Sequence, residues 1–331
     1  MNPTSSFSAK VLQIDCEQVA EEIATEIRRI VLEKFRKKGV VVGISGGVDS
    51  SVVAAVCVRA FGAKRVLGLL MPEGESAATD ESIELGRMVA DSLGIPTEFE
   101  DITPILEGAG CYRRRDEALQ KVIPGYGPGW RSKIVLPSVV DSDQYRIYSV
   151  VAVSPSGEDF RARLSPDAFH GVVAATNFKQ RTRKMMEYYH ADRLNFAVAG
   201  TPNRLEYDQG FFVKGGDGLA DVKPIAHLYK SQVYQLAEHL GLPKEICSRP
   251  PTTDTYSLPQ TQEEFYFSLP YEKMDLCLWA FNEGVSANEV GEVLGLLPEQ
   301  IERVYRDIEG KRRVAFYLHH PAVLLEAIGE G

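Results

Sequence analysis

The sequence predicts an α/β protein: a doubly wound parallel sheet with helices on both faces and a β-hairpin insertion. Three observations lead there. Short apolar runs alternate with helical texture through the N-terminal third. A loop rich in glycine and serine joins the first run to its helix. A stretch of paired β texture then interrupts the alternation near residue 150.

The elements follow in order. Val19, Ala20, Ile23, Ile27, Ile30 and Val31 recur at three- and four-residue steps, which predicts a helix within 10–38. VVVGI at 40–44 is a short buried strand, and a helix follows the loop SGGVDSS. RVLGLLMP at 65–72 is a second strand. Residues 80–94 form a helix closed by Gly94, and 97–102 supply a third strand. Strand–helix–strand order implies parallel pairing. The middle differs. PGYGPGW leads into KIVLPSVV, and two β runs flank Ser154-Pro155-Ser156-Gly157, the mark of a hairpin. Helical texture returns at 177–192, NFAVAG at 195–200 is a strand, and a helix within 222–241 ends at Gly241. A Pro/Thr-rich loop at 249–262 precedes a helical C-terminal part. The whole reads as one domain, with an insertion at about 105–170 and a helical part at about 263–331.

Composition narrows the function. Lys and Arg number 37 against 46 Asp and Glu, a net charge of −9, which argues against bulk binding to nucleic acid or an anionic membrane. The five cysteines form no C-x-x-C pair and read as reduced thiols in a cytoplasmic protein. The N-terminus shows no apolar signal region, and no apolar run is long enough to span a bilayer. The run Arg113-Arg114-Arg115 reads as a solvated face, and the histidines show no metal-ligand spacing.

The chemistry centres on Ser45-Gly46-Gly47-Val48-Asp49-Ser50-Ser51, set between a buried strand and a helix. Paired glycines let the backbone approach phosphate oxygens, and serine hydroxyls and helix N-terminal N–H groups donate to them. Asp49 repels phosphate but suits magnesium bound beside it. The lysine of a Walker loop is absent.

This loop resembles the pyrophosphate loop of the ATP pyrophosphatases that form acyl-adenylates. The second half of the chain carries Asn177-Phe178-Lys179-Gln180-Arg181-Thr182-Arg183, then Gly200-Thr201 with Glu206, then Gly210 to Asp217, Asp221, Leu228-Tyr229-Lys230, and Pro250-Pro251-Thr252-Thr253-Asp254. Their order resembles the ammonia-dependent NAD synthetases, over roughly residues 20–105 and 172–315. The resemblance implies an adenine nucleotide alpha hydrolase-like fold and ATP-dependent amidation of deamido-NAD, or of another small carboxylic acid, with ammonia. It implies that Asp49 and Glu206 hold magnesium. Ser45, Gly46, Gly47, Val48, Asp49, Ser50, Ser51, Thr201, Lys230 and Thr252 would bind ATP. Lys230, Thr252 and Asp217 would be catalytic. Arg181, Lys214, Asp221 and Lys311 would contact the acid substrate. A homodimer is expected, with ammonia free or delivered by a separate glutaminase, because no glutaminase segment is visible.

Three features depart from the family pattern. The stretch before Asn177 is longer and carries the hairpin. Gly310-Lys311 stands where the family has a His-Lys pair. The neighbours of Glu206 in 202–210 are unusual. All three fall on the acceptor side. A sulfur-transferring tRNA enzyme is disfavoured by the missing cysteine pair and the acidic charge. A non-catalytic nucleotide binder is disfavoured by the presence of Asp49, Glu206 and Lys230.

Overall fold

The structure, a computed structural model, describes residues 7–75, 79–138, 140, 147–252, 255–267 and 269–326. Helix α1 (Cys16–Arg28) is capped by Asp15, whose carboxylate accepts the Gln18 N–H at 3.0 Å. The helix expected within 10–38 is therefore broken. A 3-10 turn (Ala9–Leu12) precedes the cap, and α1 widens into a π turn at Arg29–Lys34. Strand β1 (Val40–Gly43), helix α2 (Val48–Phe61), strand β2 (Val66–Leu70), helix α3 (Thr79–Leu93) and strand β3 (Thr97–Phe99) then alternate as expected.

Helices α4 (Thr103–Gly108) and α5 (Cys111–Gln120) lead into strands β4 (Arg131–Val135), β5 (Ser149–Val153) and β6 (Asp159–Arg163). The expected hairpin is β5–β6, paired Val151 to Arg161. β4 adds a third antiparallel strand, paired Ser132 to Ala152. Residues 145–146 of the expected hairpin lie outside the described residues. Helix α6 (Pro166–Leu194) starts well before residue 177, because Ser165 caps it by accepting the Ala168 N–H and Pro166 opens its first turn. Strand β7 (Ala197–Val198), helix α7 (Arg204–Gln209), helix α8 (Lys230–His239) and helix α9 (Lys244–Cys247) follow. Helices α10 (Tyr271–Glu283), α11 (Ala287–Leu294) and α12 (Pro298–His319) close the chain.

The main sheet is parallel with strand order β3-β2-β1-β7. Alternation splits its side chains between two faces. Val40, Val42, Val66 and Leu70 pack beneath α1, α2, α3 and α8. Val41, Leu67, Leu69 and Val198 pack against Ala191, Tyr188 and Leu194 of α6 on the other face. The small sheet buries Ile134, Val150 and Ala152 against Ala118, Leu119, Ala168 and Val172 of α5 and α6. Tyr126 is 1% exposed, donates to or accepts from Ser132 Oγ at 2.8 Å, and its ring lies 5.3 Å from that of Trp130.

The arginine run is not uniformly solvated. Arg115 is buried and pairs with Glu75 of the loop after β2 and with Asp116 at 2.6 Å, which offsets the cost of burying its charge. The five cysteines are unpaired; Cys57, Cys111 and Cys277 are buried, and burial pushes the Cys57 thiol up to about 12. No helix among the described residues is long and apolar enough to cross a membrane.

Candidate active site

The strand order places the site. The chain leaves β1 toward β2 on one side and returns to β7 on the other, so a crevice opens at the carboxyl ends of β1 and β7. The loops that emerge there carry Ser45–Asp49 and Thr201–Glu206. A cavity of about 530 Å³ lies over them.

The first loop is built for close approach. Gly46 has φ +73°, and a Cβ there would meet Leu85 Cβ at 2.8 Å and the Ser82 carbonyl at 3.0 Å, so only glycine fits. Ser50 Oγ donates to the Gly47 carbonyl at 3.0 Å and accepts the Ser45 N–H at 3.2 Å, which folds the loop back on itself. Helix α2 begins at Val48 with no side-chain cap, so its N-terminal dipole end opens toward the cavity that Gly47, Val48, Asp49 and Ser50 line. Ser51 is fully buried and donates to the Gly47 carbonyl at 2.8 Å. It and Gly46 shape the loop from behind.

Asp49 is met from two sides. Lys230, the first residue of α8 and only 2% exposed, pairs its ammonium with Asp49 Oδ2. Asn203 Nδ2 donates to Asp49 Oδ1 at 3.0 Å. Asn203 also caps α7. Its Oδ1 accepts the Glu206 N–H at 3.3 Å, and the Asn203 N–H donates to Glu206 Oε2 at 3.2 Å. One asparagine thus fixes both carboxylates. Gln262 donates to Glu206 Oε1 at 3.0 Å from the far loop.

Electrostatics follow from this crowding. Burial and then the Asp49 charge push the Glu206 carboxyl up to about 8. Burial alone would lower the Lys230 ammonium, but Asp49 and Glu206 outweigh it and raise it. Asp275 accepts the Lys230 N–H at 3.2 Å and the Ser231 N–H at 2.6 Å. It anchors the start of α8, and burial lifts its own carboxyl to about 7. Asp217 lines the cavity, accepts the Val213 N–H at 2.7 Å, and is raised by burial.

Two facing carboxylates whose mutual repulsion is only partly offset by a lysine fit a hard divalent cation. No cluster of three or more possible ligands occurs among the described residues. Asp49 and Glu206 therefore suit magnesium that completes its shell with phosphate and water.

Thr201 and Thr252 also line the cavity. The four residues assigned to the acid substrate do not. Arg181 is exposed on α6 and its Nε donates to the Lys214 carbonyl at 3.3 Å. The Lys214 ammonium donates to the carbonyls of Tyr317 at 2.8 Å and His320 at 2.7 Å. Asp221 accepts the Val198 N–H at 2.8 Å and the Tyr188 hydroxyl at 3.2 Å. Lys311 is buried, paired with Asp307 at 2.7 Å, and donates to the carbonyl of Tyr266, a cavity-lining residue, at 2.7 Å. Arg181 and Lys214 meet each other, while Asp221 and Lys311 stand apart from them.

Sequence reasoning gave no role to Asn203, although Asn203-x-x-Glu206 is a capping-box pattern visible in the sequence. It also missed a buried pair on the cavity wall, Lys184 with Glu187 at 2.6 Å, because charged residues on a helix ordinarily read as solvent-facing. Tyr148 and Phe169, stacked at 4.4 Å, bring the insertion to the cavity, and nothing in their spacing announces it.

The model of the family described as NAD synthase matches residues 19–121 and 140–315. A relative named NH(3)-dependent NAD(+) synthetase from Rhizobium meliloti (strain 1021) is 57% identical over 98% of this chain and 96% of its own. One of the same name from Thermotoga neapolitana is 33% identical over 84% of this chain and 87% of its own. The fold is shared with a structure described as NMN synthetase from Francisella tularensis, at TM-score 0.65 and 21% identity, over 94% of this chain and 99% of that one. It is also shared with an NH3-dependent NAD synthetase from Campylobacter jejuni, at TM-score 0.60 and 21% identity, over 95% of this chain and 100% of that one. With most of its length inside the family match and its phosphate loop, paired carboxylates and buried lysine assembled at one crevice, this chain belongs to the NAD synthase family.

Proposed function

We propose that this chain is a ligase that makes NAD from deamido-NAD, ATP and ammonia. The observation that carries it is the meeting of Asp49, Glu206 and Lys230, from separate segments, at the floor of one cavity. Relatives at 51% to 57% identity over nearly the whole chain bear the same activity in their names, so amidation of a different acid is not favoured.

The substrate carboxylate attacks the α-phosphorus of ATP, forming the acyl-adenylate and releasing pyrophosphate. Ammonia then attacks the carbonyl, the C–O bond to AMP breaks, and the amide forms as the nitrogen loses a proton. The loop 45–51 holds phosphate by backbone N–H groups and hydroxyls. Thr201 and Thr252 contact ATP from the opposite wall. The Lys230 ammonium, raised and buried, stabilises the charge that grows on pyrophosphate as it departs. Asp217 sits on the cavity wall where it can accept a proton as the amide forms. Asp49 and Glu206 would hold magnesium, which would supply neutralisation of phosphate charge.

The acceptor is held partly by a second copy of this chain. Arg181, Met185 and Tyr189 recur at four-residue steps on α6 and are exposed, with Met185 at 53% and Tyr189 at 57%. Phe178, Met186 and Tyr188 of the same helix pack internally, so the unpartnered surface is this narrower stripe. A homodimer that covers it brings Arg181, Lys214 and Asp221 to a shared acceptor site, with Lys311 supporting from behind Tyr266. The chain works as one domain in the cytoplasm, taking free ammonia or ammonia from a separate glutaminase. The test is pyrophosphate release from ATP with ammonia, screened over deamido-NAD and a panel of carboxylic acids. Release with deamido-NAD, coupled to NAD formation, supports the reading. Release only with another acid overturns it.

A further inference from the structure

Helix α6 carries a second lysine whose surroundings the chemistry above does not use. Lys179 is 2% exposed and Glu73 is 1% exposed. The Lys179 ammonium donates to Glu73 Oε1 at 2.6 Å and to the Thr255 carbonyl at 2.8 Å. Glu73 Oε2 accepts the Tyr112 hydroxyl at 2.8 Å and the Glu75 N–H at 3.3 Å, and the Glu73 carbonyl accepts Thr79 Oγ1 at 2.6 Å. Glu73, Thr79, Thr255 and Thr252 all line the cavity. A buried ion pair contributes little stability that an apolar pair of the same volume would not. What an apolar pair cannot do is grip a backbone carbonyl. Here the gripped carbonyl belongs to a residue three positions from Thr252, and the counter-charge belongs to the loop that leaves β2.

We propose that Lys179 is a positioning residue: with Glu73 it holds the Thr255 backbone at the cavity wall and so sets Thr252 against bound ATP. This rests on the reading that Thr252 contacts ATP. Removing Lys179 alone would strand a buried carboxylate, so the informative background is Glu73→Gln with Lys179→Met, which removes both charges.

The experiment is a double-mutant cycle between that background and Thr252→Ala, read as kcat/KM for ATP in the NAD-forming assay, with thermal melting of each protein. The expected result is a cooperative melt near that of the parent, and a kcat/KM for ATP lowered about tenfold or more. Thr252→Ala then adds little to the loss already present. Four results overturn the proposal: an unchanged kcat/KM for ATP in the background, a background that does not fold, a Thr252→Ala protein identical to the parent, or losses that multiply in full. If the parent itself forms no NAD, the proposed function fails instead, and the cycle is not what shows it.

Discussion

Asn203 holds Asp49 with one end of its amide and Glu206 with the other, while Lys230 offsets only part of their charge. The two carboxylates therefore respond differently to neutralisation. Glu206, raised to about 8, already holds a proton at pH 7, so Glu206→Gln removes little charge and its thermal midpoint should stay near that of the parent without magnesium. Asp49→Asn leaves the buried Lys230 ammonium without its partner, at a cost of about 3 kcal/mol. Both should lose pyrophosphate release by on the order of a hundredfold at ordinary magnesium. Calorimetry and the release assay check both, and full release by either variant contradicts the magnesium assignment. Asp275 gives a pH prediction. Its carboxyl rises from its ordinary value to about 7 through burial. The folded state keeps a proton that the unfolded state has lost, so this group makes stability fall as pH rises from about 4 to about 7. Asp275→Asn should flatten that part of the thermal midpoint profile. An unchanged slope shows that the fall comes from other groups.

At the scale of elements, the insertion is a three-stranded sheet whose inner face is part of the core beneath α5 and α6. Its contribution to substrate choice narrows to Tyr148 and Phe169, the stacked pair at the cavity. Tyr148→Ala should raise KM for the acceptor several-fold and leave KM for ATP near the parent value. Steady-state kinetics with each substrate varied decides this, and the reverse pattern assigns the stack to ATP. These elements also show what the sequence makes legible. Strands β1 and β2 are short Val/Leu runs with one glycine each, Gly43 and Gly68, and the turn after β1 needs glycine at Gly46, so strand, loop and helix could all be read. β4 could not, because Arg131, Ser132 and Lys133 hide a strand that only its pairing with β5 reveals. The first half of α6 was hidden for another reason. Gly171, Val172 and Val173 are weak helix formers that blur its first turns, although Ser165-Pro166 signalled its true start. The crevice lined by Ser45–Asp49 and by Thr201 and Glu206 was legible because each segment follows a strand end. The acceptor side was not, because Arg181, Lys214, Asp221 and Lys311 do not converge within one chain.

For the whole molecule, the proposed function makes assembly part of the chemistry. Light scattering at micromolar concentration should give the mass of two chains. Met185→Glu with Tyr189→Glu should give a single chain that keeps its fold and loses acceptor affinity more than ATP affinity. A parent that is monomeric yet fully active contradicts the shared site. The central claim is that a carboxylate becomes an adenylate in this crevice. Deamido-NAD labelled with heavy oxygen in its carboxylate tests it most directly, with mass spectrometry of the products made from ATP and ammonia. Attack on the α-phosphorus places one labelled oxygen in AMP and none in pyrophosphate. Label in inorganic phosphate with formation of ADP, or AMP free of label, contradicts it.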